Sequence, residues 1–226
     1  MSFASIIQRA CFILPVFIFS LLHTPSLAAV VIPESDVVEY CVKSGCDSQV
    51  FYRYYNDNSE RFCKERSYLV GESRQAKVMQ SVMHIAVIKG MQPTAAVIPL
   101  LESSLNPSAV ASSHANAAKG MWQMKPDTAR DMGLRVDASV DERLDINLST
   151  TAGLKYLSWL ERKFDGDHNL AVLAYHTGIG NVERMISKYG TDNAWFLSRL
   201  LGKNNADKDY LLKYYSYSLA LMKKGC

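Results

Sequence analysis

From Glu72 onward, apolar side chains recur every three or four residues and show no convincing alternation. That spacing puts them on one face of a helix and excludes a half-buried sheet. Glu72 to Lys89 carries Val78, Val82, Ile85 and Ile88 at helical spacing, with Gly90 as a stop and Pro93 beyond it. Pro126 to Met132 opens with proline and ends before Gly133, the asymmetry of a short helix. Asn147 to Phe164 directs Leu154, Leu157 and Leu160 inward, and Asp165-Gly166-Asp167 turns the chain. His168–Tyr175, Val182–Tyr189, Asp192–Leu201 and Asp207–Lys224 follow as helices. The sequence predicts an all-α fold with no repeat and no low-complexity linker. Its strongest break is Gly71-Glu72-Ser73. Residues 29–72 are expected to form an N-terminal helical arm, and residues 73–226 the main domain.

The first 28 residues read as a signal peptide. Arg9 precedes the apolar run Ala10–Leu22, which is short for a membrane span, and Ser26-Leu27-Ala28 supplies small residues for cleavage. No cysteine stands directly after the cut, so no lipid anchor is expected, and no stable membrane anchor is expected once the leader is removed. The protein is expected to be exported, to the periplasm or cell envelope, and monomeric. Lys+Arg 25 against Asp+Glu 22 is too balanced to argue for nucleic acid. Cys11 leaves with the leader, and Cys41, Cys46, Cys63 and Cys226 remain as an even set, which in an exported protein favours disulfides. Three connectivities are open, and each pairs Cys226 with Cys41, Cys46 or Cys63, tying the C-terminus to the arm. A zinc site or free thiols are the alternatives.

One acid stands out. Glu102 ends the apolar run Ala95–Leu101 and shares a helical face with Ile98 and Leu105. A carboxyl on an apolar face is costly to ionise, and its neutral form is what a general acid needs. The alternative is an acid at a frayed helix end, turned into water. After Glu102 comes a small-residue loop to Ala118, then Lys119-Gly120-Met121-Trp122-Gln123-Met124-Lys125-Pro126. Small residues let backbone approach a ligand, and Trp122 and Gln123 fall where the loop returns to the fold. Histidines 84, 114, 168 and 176 show no ligand spacing, so no metal or cofactor is expected. The tyrosines at 52, 54, 55, 214, 215 and 217 read as packing residues rather than sugar platforms.

Three blocks in order resemble the lytic transglycosylases with a soluble-lytic-transglycosylase domain, most closely the membrane-bound D type. Glu102-Ser103 with Asn106-Pro107 and Ala109 resembles the catalytic Glu-Ser block. Asn116–Gln123, with Pro126 and Thr128-Ala129, resembles the Gly-Leu-Trp-Gln block. Ala174-Tyr175-His176-Thr177-Gly178-Ile179-Gly180-Asn181-Val182 resembles the Ala-Tyr-Asn-Ala-Gly block. Val140–Asp145 and Ala152–Leu157 also fit. The resemblance implies a lysozyme-like helical fold and a protein that cuts peptidoglycan glycan strands. It implies Glu102 as the catalytic acid, Gln123 and Tyr175 lining the cleft, Ser113 as the loop serine near the acid, and Met124 bordering the groove.

Glycosidases generally use two carboxylates, and these blocks offer one. The resemblance implies that the N-acetyl group of N-acetylmuramic acid assists instead. Glu102 would protonate the bond to N-acetylglucosamine, then act as base on the C6 hydroxyl to close a 1,6-anhydro ring. Tyr175 would bond the carboxyl or the N-acetyl group, or else is a core tyrosine with a satisfied hydroxyl. The chain departs from the family at four points. The Glu102–Gln123 stretch is longer, with an extra Lys119, so that Ser112 competes with Ser113 for the loop-serine position. His176 stands where Asn is usual, and Lys125 where an apolar residue is. Tyr210 fits the block before the last helix, but Ala206 replaces its Glu. Two other readings remain: a goose-type lysozyme-like hydrolase assisted by Asp137, Asp141 or Asp145, and a catalytically weak peptidoglycan-binding protein.

Overall fold

The computed structural model describes residues 48–222, which form helices joined by loops, with no strand among them. In chain order the helices are α1 (Ser48–Asp57), α2 (Ser59–Val70), α3 (Arg74–Ile88) and α4 (Val97–Ser103), with a 3-10 turn over Pro93–Ala96 leading into α4. Then come α5 (Pro126–Asp131), α6 (Ile146–Lys163), α7 (His168–Thr177), α8 (Ile179–Tyr189), α9 (Ala194–Leu201) and α10 (Tyr210–Met222). The signal peptide and Cys41, Cys46 and Cys226 lie outside the described residues. Cys63 is disulfide-bonded, and its partner also lies outside them.

Side-chain caps start four of these helices. Ser73 accepts the Ala76 N–H of α3, Asp145 those of Asn147 and Leu148 in α6, Asp167 that of Leu170 in α7, and Asn193 that of Phe196 in α9. Each cap satisfies donors the helix itself leaves free and contributes about 1 kcal/mol. Leu154, Leu157 and Leu160 of α6 are buried as expected. Burial of each such side chain stabilises by about 1.5–3 kcal/mol. In α3 Val78 and Val82 are buried as expected, together with Ala76, Met79 and Ala86, but Ile88, expected inside, is 66% exposed. The small Ala86 holds the contact position. Ile88 points away at the last turn, before Gly90 turns the chain with φ +73.

The C-terminal helix organises the described fold. α10 packs against α1, α2, α4, α7 and α9. Tyr210, Leu211, Leu212, Tyr214, Tyr215, Ser216, Ser218, Leu219 and Ala220 are all buried, so it is covered round most of its circumference. Tyr54 and Tyr55 are buried with Phe51 and Phe62, and the Tyr55 and Phe62 rings stack with centroids 5.6 Å apart. The N-terminal helices thus share one core with α10, running across the expected boundary at residue 72. The tyrosine pairs are packing residues.

Candidate active site

Helix α4 ends one residue after Glu102. Ser104 and Leu105 both take left-handed φ values, 54° and 60°. Their N–H groups turn back onto the carbonyls of Leu100 and Pro99. Ile98 and Leu105 are buried, and the Glu102 side chain keeps 14% of its surface. The acid therefore does share an apolar neighbourhood, although Leu105 reaches it from beyond the helix end.

Two groups meet one oxygen of this carboxyl. The Tyr210 hydroxyl donates to Glu102 Oε1 at 2.8 Å, and His176 Nδ1 lies 3.0 Å from the same atom. The His176 and Tyr210 rings stack at 4.0 Å, 11° from parallel. Among the described residues no hydrogen bond reaches Oε2. Burial, and then the neighbouring carboxylate, push the Tyr210 phenol well above its ordinary range, so it stays a donor. Tyr175 does not touch the carboxyl: its hydroxyl donates to the Trp122 carbonyl at 3.0 Å. Burial first, and Glu102 second, raise that phenol as well.

The loop after α4 is pinned from several sides. Ser103 Oγ donates to the Met121 carbonyl at 2.8 Å, joining the Glu102 helix to the Gly-Met-Trp-Gln turn. Trp122 is fully buried; its Nε1 donates to Thr150 Oγ1 at 3.3 Å, and its ring lies against Gly153, where an added Cβ would sit 2.4 Å from it. Gln123 has φ 46, a strained value for a non-glycine residue, and its Nε2 donates to the Gly120 carbonyl at 2.7 Å. Arg143 is buried, forks onto both oxygens of Asp141 at 2.8 and 2.7 Å, and donates to the Ala117 and Met124 carbonyls. The extra Lys119 lies 3.6 Å from Asp141. The loop insertion thus brings its own ion pair. Tyr175 completes the wall, its ring centroid 6.0 Å from Trp122 and 5.3 Å from Tyr156, which stacks on Trp159.

Glu102 and His176 come together, with Tyr210, which the sequence marked only as a block match. Tyr175 and Gln123 belong to the adjoining wall. Ser113 is an exposed loop residue with no hydrogen bond to Glu102. Met124, expected to border a groove, is buried at 3% exposure, because the loop folds back through it onto Arg143. Sequence reasoning missed Ser103, Thr150 and Arg143 as supports; Asp141-x-Arg143, an acid two residues before an arginine, was the available signal for the last.

The three aspartates considered as second carboxylates are all engaged elsewhere. Asp145 caps α6. Asp137 holds the Ser139–Val140 turn and pairs with Arg135 at 2.7 Å; that guanidinium, with the turn's donors, holds its carboxyl far below the usual range. Asp141 is lowered chiefly by Arg143.

Residues 87–197, just under half of the chain, match the family model of the Transglycosylase SLT domain. Glu102, Gln123, Tyr175 and His176 lie inside the match and Tyr210 beyond it. Over 131 residues the chain is 36% identical to the membrane-bound lytic murein transglycosylase D of Escherichia coli (strain K12), covering 58% of this chain and 28% of that protein. Over 64 residues it is 45% identical to peptidoglycan transglycosylase gp16 of Escherichia phage T7, 28% of this chain and 5% of that one. The chain therefore spans less than a third of either relative.

Proposed function

We propose that this protein is a peptidoglycan lytic transglycosylase, cleaving the β-1,4 bond between N-acetylmuramic acid and N-acetylglucosamine with a 1,6-anhydro product. The observation that carries the reading is Glu102, a lone acid gripped through Oε1 while Oε2 is left for substrate. In the first step the Oε2 proton passes to the leaving N-acetylglucosamine oxygen as the glycosidic bond breaks. The carboxylate formed is stabilised by the donors on Oε1. In the second step it takes the proton of the C6 hydroxyl, whose oxygen closes on C1, and Glu102 is restored to its acid form. Among the described residues Asp137, Asp141 and Asp145 are engaged away from Glu102, which favours this course over water attack. Gln123 and Tyr175 would line the glycan strand, with the exposed Ser113 reaching it from the loop; Met124 would support the groove from beneath.

No cofactor is required by this chemistry. A peptidoglycan substrate supports work in the periplasm or cell envelope; the proposal further takes the protein as an exported monomer, its N-terminal helices tied by disulfides among Cys41, Cys46, Cys63 and Cys226. Mass spectrometry of the products from purified peptidoglycan tests the reaction. Anhydromuramic ends are expected. Reducing ends would make it a lysozyme-like hydrolase, and binding without products a wall-binding protein. Thiol titration in denaturant tests the disulfides: no free thiols are expected, and two or more would refute the tie.

A further inference from the structure

We propose that Trp159 is a glycan-binding residue: its exposed indole carries a sugar ring of the peptidoglycan strand beyond the bond that Glu102 cuts, with Lys155 and Arg162 beside it for the carboxylates of the peptide stems. The inference rests on the reading of the Glu102 site as one that cuts peptidoglycan.

Of the three tryptophans, Trp122 and Trp195 are buried, at 0% and 7% exposure, and Trp159 keeps 39% of its surface. An indole left in water forgoes apolar burial that this large side chain usually finds. Trp159 is not isolated. Its ring stacks on Tyr156 at 5.9 Å, 13° from parallel; Tyr156 meets Tyr175 at 5.3 Å, and Tyr175 meets Trp122 at 6.0 Å. Tyr175 precedes His176, whose Nδ1 lies 3.0 Å from Glu102 Oε1. The rings therefore run in contact from the wall beside the acid to the surface of α6. Stacking on Tyr156 also holds the indole plane, so less side-chain freedom is lost when a ligand lands on it.

The surroundings select the occupant. On α6 the residues three and four positions from Trp159 are Lys155, Tyr156, Arg162 and Lys163. Lys163 pairs with Glu183 at 3.4 Å. Lys155 donates to the Met132 carbonyl and Arg162 to the Ser158 hydroxyl, and neither meets a carboxylate among the described residues. A flat apolar ring flanked by two such cations fits a ligand that has both an apolar face and negative charge. An N-acetylhexosamine has the face: its C–H groups turn toward the negative face of the indole while its hydroxyls stay in water. The stems of a peptidoglycan strand supply the carboxylates. A purely apolar partner would leave both cations unused.

Two measurements decide it, both on the full chain carrying Glu102→Gln, which leaves bound strands uncut. The first needs no change at position 159. Because the other two indoles are buried, acrylamide quenching of tryptophan fluorescence reads Trp159. Saturation with soluble, uncrosslinked glycan strands bearing their stems is expected to lower the quenching constant about twofold or more, as a bound ring excludes solvent. Strands that bind with quenching unchanged, or that do not bind, would overturn the proposal. The second compares affinities. Trp159→Ala is expected to weaken strand binding about fivefold or more, the cost of truncating an aromatic anchor. Trp159→Tyr keeps a flat ring and should lose less than about twofold. Equal affinity for Trp, Tyr and Ala at this position would overturn the proposal. Lys155→Gln with Arg162→Gln should weaken stem-bearing strands more than a stem-free N-acetylglucosamine hexamer; equal effects on the two would overturn the assignment of the stems to these cations. The underlying reading fails separately. Shielding of Trp159 by strands from which wild type releases no anhydromuropeptide would refute the transglycosylase reading alone. Release of that product with Trp159 unshielded would refute this proposal alone.

Discussion

The two oxygens of Glu102 stand in different settings: Tyr210 donates to Oε1 and His176 Nδ1 lies 3.0 Å from it, while Oε2 has no hydrogen-bond partner among the described residues. Glu102→Gln keeps the size and much of the hydrogen bonding but has no proton to donate and reclaim. It is expected to lose at least about a hundredfold in turnover with an unchanged melting temperature; near-normal turnover would remove Glu102 from the mechanism. Tyr210→Phe deletes a hydrogen bond to a group that becomes charged, worth about 1.5–3 kcal/mol, so kcat should fall about tenfold or more. A Tyr210→Phe enzyme with wild-type kcat would show that His176 alone suffices. The apolar setting of Glu102 was legible in the sequence, because Ile98 and Leu105 marked it. Its partner was not. Tyr210 lies 108 positions away, and nothing in a local pattern separates it from Tyr175, whose hydroxyl is spent on the Trp122 carbonyl.

Tyr210 is the first residue of α10, so the start of that helix sets its position. Asp209 accepts the Leu212 N–H at 3.1 Å and the Ser198 hydroxyl at 2.5 Å, fastening α10 to α9. Burial raises the Asp209 carboxyl above its ordinary value despite these bonds. A raised acid binds its proton more tightly when folded, so its contribution to stability is lost as pH rises through the unfolded and then the folded value. Asp209→Asn keeps the cap without the buried charge. It should melt at or above wild type at pH 7 and lose that advantage near pH 3; a variant several degrees less stable at pH 7 would contradict this. Asp141 has the opposite sign. Arg143 lowers it, so its stabilisation is present above the unfolded value of about 3.9 and is lost as pH falls further. Gly153 supports the same loop from α6. Gly153→Ala forces a methyl into the Trp122 ring and should cost about 1–3 kcal/mol, visible as a lower Tm and altered tryptophan fluorescence. Periodicity located α6 to within a residue at either end, because its eighteen residues carry a clear apolar stripe and a capping Asp. It could not show that the loop before it is built on a buried arginine, since a charged side chain reads as surface until its partners are known.

At the scale of the whole described fold, the N-terminal helices reach the site through the loop that precedes α10. Arg61 Nη2 donates to the Tyr54 hydroxyl at 3.2 Å, which donates to Asp207 at 3.1 Å, and Arg61 itself lies 3.8 Å from Asp207. Farther along, Tyr217 donates to Glu65 and meets the Phe62 ring edge-on at 5.0 Å. The exposed Arg61–Asp207 ion pair is weak by itself. Apolar burial contributes more: Phe51, Tyr54, Tyr55, Phe62 and Leu69 are all buried in the core that α10 shares. The composition break at Gly71-Glu72-Ser73 marked a turn between helices. No local pattern could reveal that the helices before it cover the helix that ends the fold. Residues 71–226 expressed without the preceding helices would expose the α10 face under Phe62 and release the Asp207 loop. That fragment is expected to aggregate or to melt well below the full chain, losing several kcal/mol from the uncovered side chains alone, and to lose turnover as Tyr210 drifts from Glu102. The contrary result is equally concrete. A soluble 71–226 fragment, with the melting temperature and product yield of the full chain, would mean that the N-terminal helices rest on the domain without supporting it.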